Sequence, residues 1–295
     1  MAADGWIEGS MTVVAAHASC VCPACEGLEE EPAEPYNGYA MVRCRRCELL
    51  HTQRREFPVS QYENVYAEQS AYRLMMDAAR CTASGELGYR DLWWFKRLGL
   101  RWLERTGKGR LLDVGCGPGT LLMVARQRGW DVAGVEPAAG PAQLARSYGL
   151  RIFHGLVEDF AGSSRDRFDA ITAFEVLEHV SRPLAMLRAM RELLEPAGRI
   201  FVSVPNLDDP YCLRQQIPSN VPPVHINFFN RRSLGAAMRS AGLEVVRFGS
   251  LPIPSSSVRN VHGWRGFALR APLLLVMRIV GRADGTTLVA LAQRP

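Results

Sequence analysis

Short apolar runs alternate with amphipathic stretches through the middle of the chain. RLLDVG at 110–115 is apolar enough for a buried strand, and TLLMVARQRG at 120–129 has the spacing of a helix. DVAGVE at 131–136 is a second apolar run. This order predicts a βαβ unit with parallel strands, and therefore an α/β fold. Later segments continue the pattern, with a strand predicted in RIFVSVPN, a helix in RRSLGAAMRSAG and a strand in LEVVRF.

Aromatic residues are concentrated ahead of this unit, and an apolar stretch lies beyond it. DLWWFKRLGLRWLER has helical spacing, and we expect most aromatic side chains around it to pack against the sheet. FALRAPLLLVMRIVGR at 267–282 is apolar with interspersed arginines and precedes a strand predicted in TTLVALAQR. We expect 267–282 to pack on the domain or at a dimer contact; the alternative is an interfacial membrane helix. The aromatic residues are Tyr62, Tyr66, Tyr72, Tyr89, Trp93 and Trp94.

The composition is that of a folded protein with a mild positive charge. Its 295 residues are 47% hydrophobic, which suffices for one full α/β domain and a smaller attachment. The formal net charge of +5 is only weak support for nucleic-acid binding. No run of 18 apolar residues exists, and MAADGWIEGSMTVV lacks a basic flank followed by an apolar run. We therefore expect no membrane span and no secretory signal, but a cytoplasmic monomer or homodimer.

Four cysteines near the N-terminus have the spacing of a zinc ribbon. Two CxxC knuckles, CPAC and CRRC, are separated by 18 residues that include EEEPAEPYNG, which we expect to form a turn region. Four thiolates close a tetrahedral zinc site, so the ion should be structural and should supply most of the folding energy of so short a segment. Cys20 and His51 are alternative ligands, although neither improves the spacing. The predicted ligands are Cys22, Cys25, Cys44 and Cys47.

These patterns divide the chain into three segments. Residues 1–56 comprise the N-terminal segment and zinc ribbon, residues 57–106 an aromatic helical linker or cap, and residues 107–295 the main nucleotide-binding domain. Within the last segment, a connection at 206–230 is rich in Pro and Asn. Long connections at the carboxyl ends of parallel strands are where ligands bind in such sheets, so 206–230 is predicted to be a substrate lid.

The glycine-rich loop in LLDVGCGPGT is typical of a nucleotide-binding turn. Glu136, at the end of the second strand, is placed to accept hydrogen bonds from both hydroxyls of a ribose, which fits NAD and S-adenosylmethionine equally. A dinucleotide fingerprint is G-x-G-x-x-G, whereas Gly115, Gly117 and Gly119 give G-x-G-x-G. Asp113 lies two residues ahead of the first glycine. A pyrophosphate disfavours a nearby carboxylate and a cationic sulfonium accepts one, so Asp113 favours S-adenosylmethionine.

The chain resembles the class I S-adenosylmethionine-dependent methyltransferases in successive motifs. These are LLDVGCGPGT, the strand-ending VEP, FDAITAFEVLEHV and LLEPAGRIFVSVPN, which together cover roughly residues 100–250. The chain is similar in particular to quinone-biosynthesis-like O-methyltransferases, and to natural-product and sugar methyltransferases with an N-terminal zinc ribbon and a tyrosine-rich linker, whose character QYENVYAEQSAY matches. The resemblance implies a Rossmann-like sheet that is mostly parallel, with an antiparallel last strand.

The resemblance also implies which residues border the methyl donor. The aspartate and the glycine loop should surround the methionine part, and Glu136 should bind the ribose. Where many relatives have an acidic residue beside the adenine, this sequence has Leu156, so adenine recognition is expected from backbone groups or Asp159. We expect these residues at the donor: Asp113, Gly115, Cys116, Gly117, Gly119, Glu136, Pro137, Val157, Glu158, Phe174 and Glu175. Cys116 is expected to be a small loop residue and not a nucleophile.

Two groups of residues are candidates for catalysis on the acceptor side. Glu175, Glu178 and His179 share one face if the turn in FEVLEHV is helical. They would then bind a divalent cation that orients a catechol-like acceptor, or they serve as scaffold. His225 in the lid is either a base that takes the acceptor proton or a residue that fixes the loop. A base is dispensable in principle, because alignment supplies much of the rate of an in-line methyl transfer.

The sequence therefore predicts a methyltransferase that uses S-adenosylmethionine and acts on a small molecule. The expected acceptor atom is an oxygen of a sugar, polyketide-like, phenolic or quinone-like metabolite. The alternative is a ribosomal RNA methyltransferase whose ribbon binds nucleic acid, favoured by the basic knuckle RCRRC and opposed by the acidic EGLEEEPAE. A zinc-mediated interaction protein with a decayed donor site is the third hypothesis, and the intact loop and its two carboxylates oppose it.

Overall fold

The computed structural model describes residues 21–54, 70–209, 221–251 and 286–295. Among them, the strands are β1 (Glu30–Tyr36), β2 (Tyr39–Cys44), β3 (Leu50–Thr52), β4 (Arg110–Val114), β5 (Asp131–Glu136), β6 (Arg151–His154), β7 (Phe168–Phe174), β8 (Leu194–Pro205), β9 (Asn227–Phe228), β10 (Glu244–Leu251) and β11 (Thr287–Gln293). The helices in the same ranges are α1 (Ser70–Ala83), α2 (Trp94–Leu103), α3 (Thr120–Gln127), α4 (Ala139–Ser147), α5 (Val157–Ser163), α6 (Pro183–Leu193) and α7 (Arg231–Ser240).

The larger sheet has the predicted Rossmann-like arrangement. In the described part of the chain it contains seven strands in the order β10-β11-β8-β7-β4-β5-β6. Strands β8, β7, β4, β5 and β6 are parallel to one another. The last strand, β11, is antiparallel to both β8 and β10 and lies between them. The expectation of a mostly parallel sheet with an antiparallel last strand is confirmed.

Both faces of this sheet are covered by helices, which is why its strands are apolar along their whole length. The neighbours Leu111 and Leu112 are each fully buried but belong to separate apolar clusters, because successive side chains of a strand point to opposite faces. One cluster includes α6 and α7, and the other includes α2, α3 and α4. This layering leaves the carboxyl edge of the parallel strands for a ligand.

The aromatic segment ahead of β4 forms helix α2 as its spacing predicted. Phe95, Leu100 and Trp102 are buried, whereas Trp93 is exposed. At Gly99 the helix approaches the sheet so closely that an added Cβ would lie 2.9 Å from Phe174 Cζ. The described aromatic side chains therefore divide between core and surface.

A second, smaller sheet contains the cysteine knuckles and residues of the main domain. Within the described residues it has four strands in the order β1-β2-β3-β9. The stretch expected to be a turn region is instead mostly strand β1, and the turn is confined to Asn37 and Gly38, both with positive φ. Pro32 and Pro35 are tolerated because β1 is an edge strand. Since β9 belongs to the predicted lid, the sheet joins residues of the first and third predicted segments.

Several predictions fall outside the described residues. These are Cys20 as an alternative ligand, the positions of Tyr62 and Tyr66, residues 210–220 of the lid, and the apolar stretch 267–282. Among the helices that are described, none combines the length and the apolar character that crossing a bilayer requires.

Candidate functional site

The glycine loop between β4 and α3 turns sharply enough to require glycine. Gly115, Gly117 and Gly119 have φ of 69°, 54° and 82°, in the left-handed region that side chains disfavour. The space is also closed, since a Cβ on Gly115 would lie 2.6 Å from Val176 Cγ2 and one on Gly119 would lie 2.3 Å from Leu150 Cδ1. Because these three residues carry no side chain, a ligand can approach the loop backbone closely.

Asp113 ends β4 as a buried carboxylate beside this loop. Thr172 Oγ1 donates a hydrogen bond of 2.6 Å to Asp113 Oδ1. Burial raises the pKa of Asp113 to about 6, although the nearby Lys96 ammonium and the Thr172 hydroxyl both lower it. A cationic ligand at this position would favour the ionised form.

Glu136 ends β5 and faces the same loop. Its Oε2 accepts a hydrogen bond of 2.8 Å from Gly117 N–H, and its Oε1 accepts one of 2.9 Å from Ala138 N–H. Burial raises the pKa of Glu136 in spite of these two donors. Each oxygen retains a second lone pair, so the carboxylate can fix the loop and still accept from ribose hydroxyls. The sequence pattern did not indicate that Glu136 also fixes the loop.

Helix α2 packs against the end of β7 and carries a site residue, Lys96, that the sequence analysis missed. Phe174 packs against Phe95 of α2 and Phe201 of β8, with ring centroids 6.0 and 5.4 Å away. Lys96 Nζ lies 5.7 Å from the centroid of the Phe174 ring, and its charge lowers the pKa of Asp113 and Glu175. The only sequence signal was the position of Lys96 in an amphipathic helix, which does not reveal what the helix covers.

Glu175 does not join the predicted metal-binding face. The turn after β7 is not an α-helix, and Glu175 itself has φ of 57°. Ser203 Oγ donates a hydrogen bond of 2.8 Å to Glu175 Oε1. Burial raises the pKa of Glu175 to about 7, against the Ser203 hydrogen bond and the Lys96 charge. The expectation that Glu175, Glu178 and His179 share a helical face is therefore wrong, because the chain adopts a left-handed residue at the first of them.

The structure brings together a different group: Glu178, His179 and His225. One possible ligand atom from each lies within 4.8 Å of the others, and the two imidazole centroids are 4.6 Å apart. His179 Nδ1 lies 2.8 Å from Val224 O and must donate to it, while Nε2 lies 3.9 Å from Glu178 Oε1. Both carboxylate oxygens of Glu178 are buried without a hydrogen-bond partner among the described residues.

The ionisation of this group follows from its burial. Burial lowers the pKa of His179 to about 4. Burial and the neighbouring His179 lower the pKa of His225 well below its usual 6.5, while burial and the neighbouring Glu175 raise that of Glu178 well above 4.5. Every shift favours the neutral form, so His225 is a weaker base than its ordinary pKa implied.

The four cysteine sulfurs also converge. Cys22 Sγ and Cys47 Sγ are 3.6 Å apart, as are Cys25 Sγ and Cys44 Sγ, and all four lie within 4.8 Å of one another. Zinc–sulfur bonds of about 2.3 Å in a tetrahedron place sulfurs about 3.8 Å apart, so this donor set suits Zn²⁺. His51 is not part of the set, because its two ring nitrogens lie 2.9 Å from Thr52 O and Glu30 Oε1.

The chain is similar in sequence to methyltransferases. A family model described as a methyltransferase domain matches residues 90–247, more than half of the chain. The ubiquinone biosynthesis O-methyltransferase of Pseudomonas aeruginosa is 32% identical over 167 residues, which cover 50% of this chain and 71% of that protein. The protein of the same name from Xanthomonas oryzae is 39% identical over 103 residues, covering 33% and 43%.

Solved structures agree on the fold. An S-adenosylmethionine-dependent methyltransferase from Archaeoglobus fulgidus matches with a TM-score of 0.50 and 18% identity, over 68% of this chain and 94% of that one. A chain from the complex between the Haloferax volcanii Trm112 methyltransferase activator and a methyltransferase gives 0.52 and 19%, over 74% and 96%.

The chain belongs to the class I S-adenosylmethionine-dependent methyltransferases. It is therefore an enzyme that uses this donor, and the carboxyl edge of its sheet is where the predicted loop and carboxylates lie. Cys116 of the methyltransferase is a buried loop residue, and burial with the charges of Asp113 and Glu136 raises its pKa well above 9.0. Its thiol stays protonated, which agrees with the expectation that it is not a nucleophile.

The adenine side of the methyltransferase remains a prediction. Val157 packs in the core, so its backbone alone can border a ligand. Glu158 is half-buried, which raises its pKa, and Asp159 is exposed. Leu156 is 46% exposed at the start of α5 and offers an apolar surface. Pro137 O lies 3.1 Å from His154 Nε2, which fixes the backbone after Glu136.

Proposed function

We propose that this methyltransferase transfers a methyl group to an oxygen of a small molecule, of the phenolic, quinone-like, sugar or polyketide-like class. The observation that carries the proposal is the convergence of Asp113 and Glu136 on one glycine loop, beside a buried acceptor-side group of two imidazoles and a carboxyl. The names of the ubiquinone biosynthesis relatives support an oxygen acceptor.

The donor would be bound through complementary charges. Asp113 is placed for the cationic methionine part and Glu136 for the ribose hydroxyls. Lys96 is placed to pair with the carboxylate of the methionine part, since its charge already acts on Asp113 and Glu175. These residues would hold the donor with its methyl toward an acceptor near the end of β7, and alignment with the attacking oxygen would supply much of the rate.

The acceptor-side group is proposed to hold a divalent cation, through Glu178, His179 and His225 and without Glu175. The support is geometric, because one possible ligand atom from each of the three residues lies within 4.8 Å of the others. Both Glu178 carboxylate oxygens are buried without a hydrogen bond among the described residues, and the Val224 carbonyl orients the His179 ring. A cation there supplies Lewis acidity that lowers the pKa of an acceptor hydroxyl. This would remove the need for a strong base, which the lowered pKa of His225 does not provide.

The four clustered cysteines are proposed to hold a structural zinc ion. We also propose that the acceptor is a small molecule and not a nucleic acid. Arg45 of the basic knuckle pairs with Glu31 at 2.9 Å, and Arg43 Nη1 donates to Glu48 O at 3.3 Å. The Arg45–Glu31 pair offsets one positive charge of the knuckle, and the Arg43 contact holds that side chain within the ribbon, which supports a small acceptor over RNA.

The transfer of labelled methyl from S-adenosylmethionine to two pools tests the acceptor class. One pool is purified RNA, and the other is a small-molecule extract of the source cells. Label in the organic-extractable pool is expected, and the mass of the product then identifies the acceptor. Label in RNA instead would overturn the proposal.

Glu136→Ala tests the donor site. Loss of charged hydrogen bonds to the ribose should weaken S-adenosylhomocysteine binding by about 1–3 kcal/mol, as measured by calorimetry. Glu31→Ala is the control, since its exposed carboxylate pairs with Arg45 in the ribbon, and should leave the affinity unchanged. Unchanged binding in Glu136→Ala would contradict the assignment.

Glu178→Gln tests the cation proposal. An amide of the same shape is a far weaker ligand, so Mn²⁺ affinity measured by electron paramagnetic resonance should fall at least tenfold. Glu175→Gln, whose carboxylate is bonded to Ser203, serves as control and should keep Mn²⁺ affinity within about twofold. The reverse order of effects would restore Glu175 as the ligand and overturn the revised set.

A further inference from the structure

The segment 224–230, which carries His225, lies between the cysteine-containing sheet and the Glu178 turn. On one side, β9 pairs antiparallel with β3, so that Leu50 is opposite Phe228 and His51 is opposite Asn227. Thr52 N–H adds a bond of 3.0 Å to Ile226 O. The ribbon therefore contributes a strand to the sheet that contains the residues directly after His225.

On its other side the same segment is bonded to the acceptor-side turn. Ile226 N–H and Asn227 N–H donate to Glu178 O at 2.8 and 3.1 Å. Asn227 Nδ2 donates to Leu177 O and Val180 O at 3.1 and 2.7 Å. Together with the bond between His179 and the Val224 carbonyl, these contacts hold Glu178, His179 and His225 in place through the single segment 224–230.

The β3–β9 pairing forms a seam between the ribbon and the main domain. Side-chain contacts extend this seam at both ends. Asn37 Nδ2 donates to Pro222 O at 2.7 Å, just before the segment. Asn230 Nδ2 donates to Glu48 Oε2 at 3.1 Å, just after it. Between them, Leu50 packs with Met41 and Phe228 in a small apolar cluster of their own.

The donor side is built without the ribbon. The glycine loop is fixed by Val135 O and by Glu136, which belong to the larger sheet. Asp113 is bonded to Thr172 of the neighbouring strand β7. Although the cysteines share an apolar cluster with Val114 and Val135, no hydrogen bond described at the glycine loop comes from the ribbon. A change in the ribbon should therefore act more strongly on the acceptor side than on the donor side.

We propose that the cysteine-containing ribbon is a wall of the acceptor site, which positions His225 and the Glu178 turn through the β3–β9 pairing. The inference rests on the proposed function in placing the acceptor there. The residues that act through this seam, Leu50 foremost, are positioning residues and do not contact the reacting atoms.

Hydrogen exchange of the full-length protein tests the proposal without an identified acceptor. Leu50→Ala opens the seam and Cys44→Ser removes one zinc ligand, while Glu31→Gln changes an exposed ribbon pair distant from the seam and is the control. In the first two variants, peptides covering 221–230 and 175–180 should lose at least tenfold more protection than peptides covering 110–136. The affinity for S-adenosylhomocysteine should stay within about twofold.

Histidine NMR provides a second readout on the same variants. The imidazole resonances of His179 and His225 should shift and broaden in Leu50→Ala and Cys44→Ser but not in Glu31→Gln. Adding zinc back to metal-depleted wild-type protein should restore both resonances and the protection of 221–230.

Two outcomes would overturn the proposal. In the first, 221–230 stays protected while peptides of residues 21–54 exchange rapidly, which would make the ribbon a separate appendage. In the second, 110–136 loses protection to the same extent as 221–230, which would show a general loss of stability. Wild-type protein that fails to bind S-adenosylhomocysteine would contradict the proposed function alone, since the exchange result does not depend on it.

Discussion

At the scale of single residues, the donor site contains two carboxyl groups whose ionised form is disfavoured by burial. Asp113 and Glu136 are 3% and 8% exposed, and the pKa of each is raised because burial disfavours the ionised form. Hydrogen bonds from Thr172 and from the loop N–H groups offset only part of this cost. A bound cationic donor would therefore favour the ionised carboxylates, which burial alone disfavours.

Asp113 should make the donor-free protein less stable as the pH rises. Its pKa is about 6 in the folded protein against an ordinary 3.8, so the folded state binds the proton more tightly. The destabilisation is absent below pH 3.8 and complete above about pH 6, where it amounts to about 3 kcal/mol. In Asp113→Asn this contribution is lost, so the decrease should be smaller than in the wild-type protein, where Glu136 and Glu175 also have raised pKa values. Urea unfolding at pH 4.5 and pH 7 measures it, and an equal decrease in both proteins would contradict the prediction.

At the scale of elements, the loop between β4 and α3 depends on glycine for both its backbone angles and its space. Gly134 of β5 packs against this loop and leaves no room for a side chain, since a Cβ there would lie 2.6 Å from Cys116 Sγ. Helix α7 shows the opposite kind of local signal, in which side chains define the element. Asn230 and Ser233 form a reciprocal capping box at its start, with bonds of 2.8 and 2.9 Å.

Gly119→Ala should destabilise the protein by about 1–3 kcal/mol, because φ of 82° is strained for alanine and Leu150 occupies the space of its Cβ. Binding of S-adenosylhomocysteine should weaken with it. Gly162→Ala is the control: it lies in helix α5 with no atom within 4 Å of an added Cβ, and should gain up to about 1 kcal/mol. Urea unfolding of both variants checks the pair, and a fully stable Gly119→Ala would exclude this account of the loop.

At the scale of the whole molecule, the ribbon is continuous with the main core. Cys22, Cys25 and Leu49 are buried in the same apolar cluster as Leu184 and Leu187 of α6. The bidentate pair between Glu26 and Arg188, at 2.8 and 2.9 Å, lies over this contact but is exposed and worth less than about 1 kcal/mol. Burial and strand pairing therefore dominate the attachment.

Removal of the proposed zinc ion should lower the stability of the whole protein and not of a separate module. The thiols would lose their ion inside a shared core, so the main thermal transition should move to lower temperature. Calorimetry with and without a chelator measures the shift, and elemental analysis should give one zinc per chain, lost in Cys44→Ser. An unchanged main transition beside a small separate one would restore the view of an independent ribbon.

The sequence by itself determined the features that depend on neighbouring residues. Periodicity gave the βαβ order, glycine spacing and the preceding aspartate gave the donor, and the two CxxC knuckles gave the thiolate cluster. These signals are local because strand alternation, helical spacing and turn conformation are set within a few residues.

Only the tertiary structure decided which distant groups meet. Glu175 has a left-handed backbone and so shares no helical face with Glu178 and His179, and the lid brought His225 to those two residues. Lys96 reached the donor side from a helix whose sequence shows only one apolar face. The ribbon joined the acceptor side through backbone pairing, which carries no side-chain signature. Contacts of this kind depend on packing across the whole chain, so no local pattern contains them.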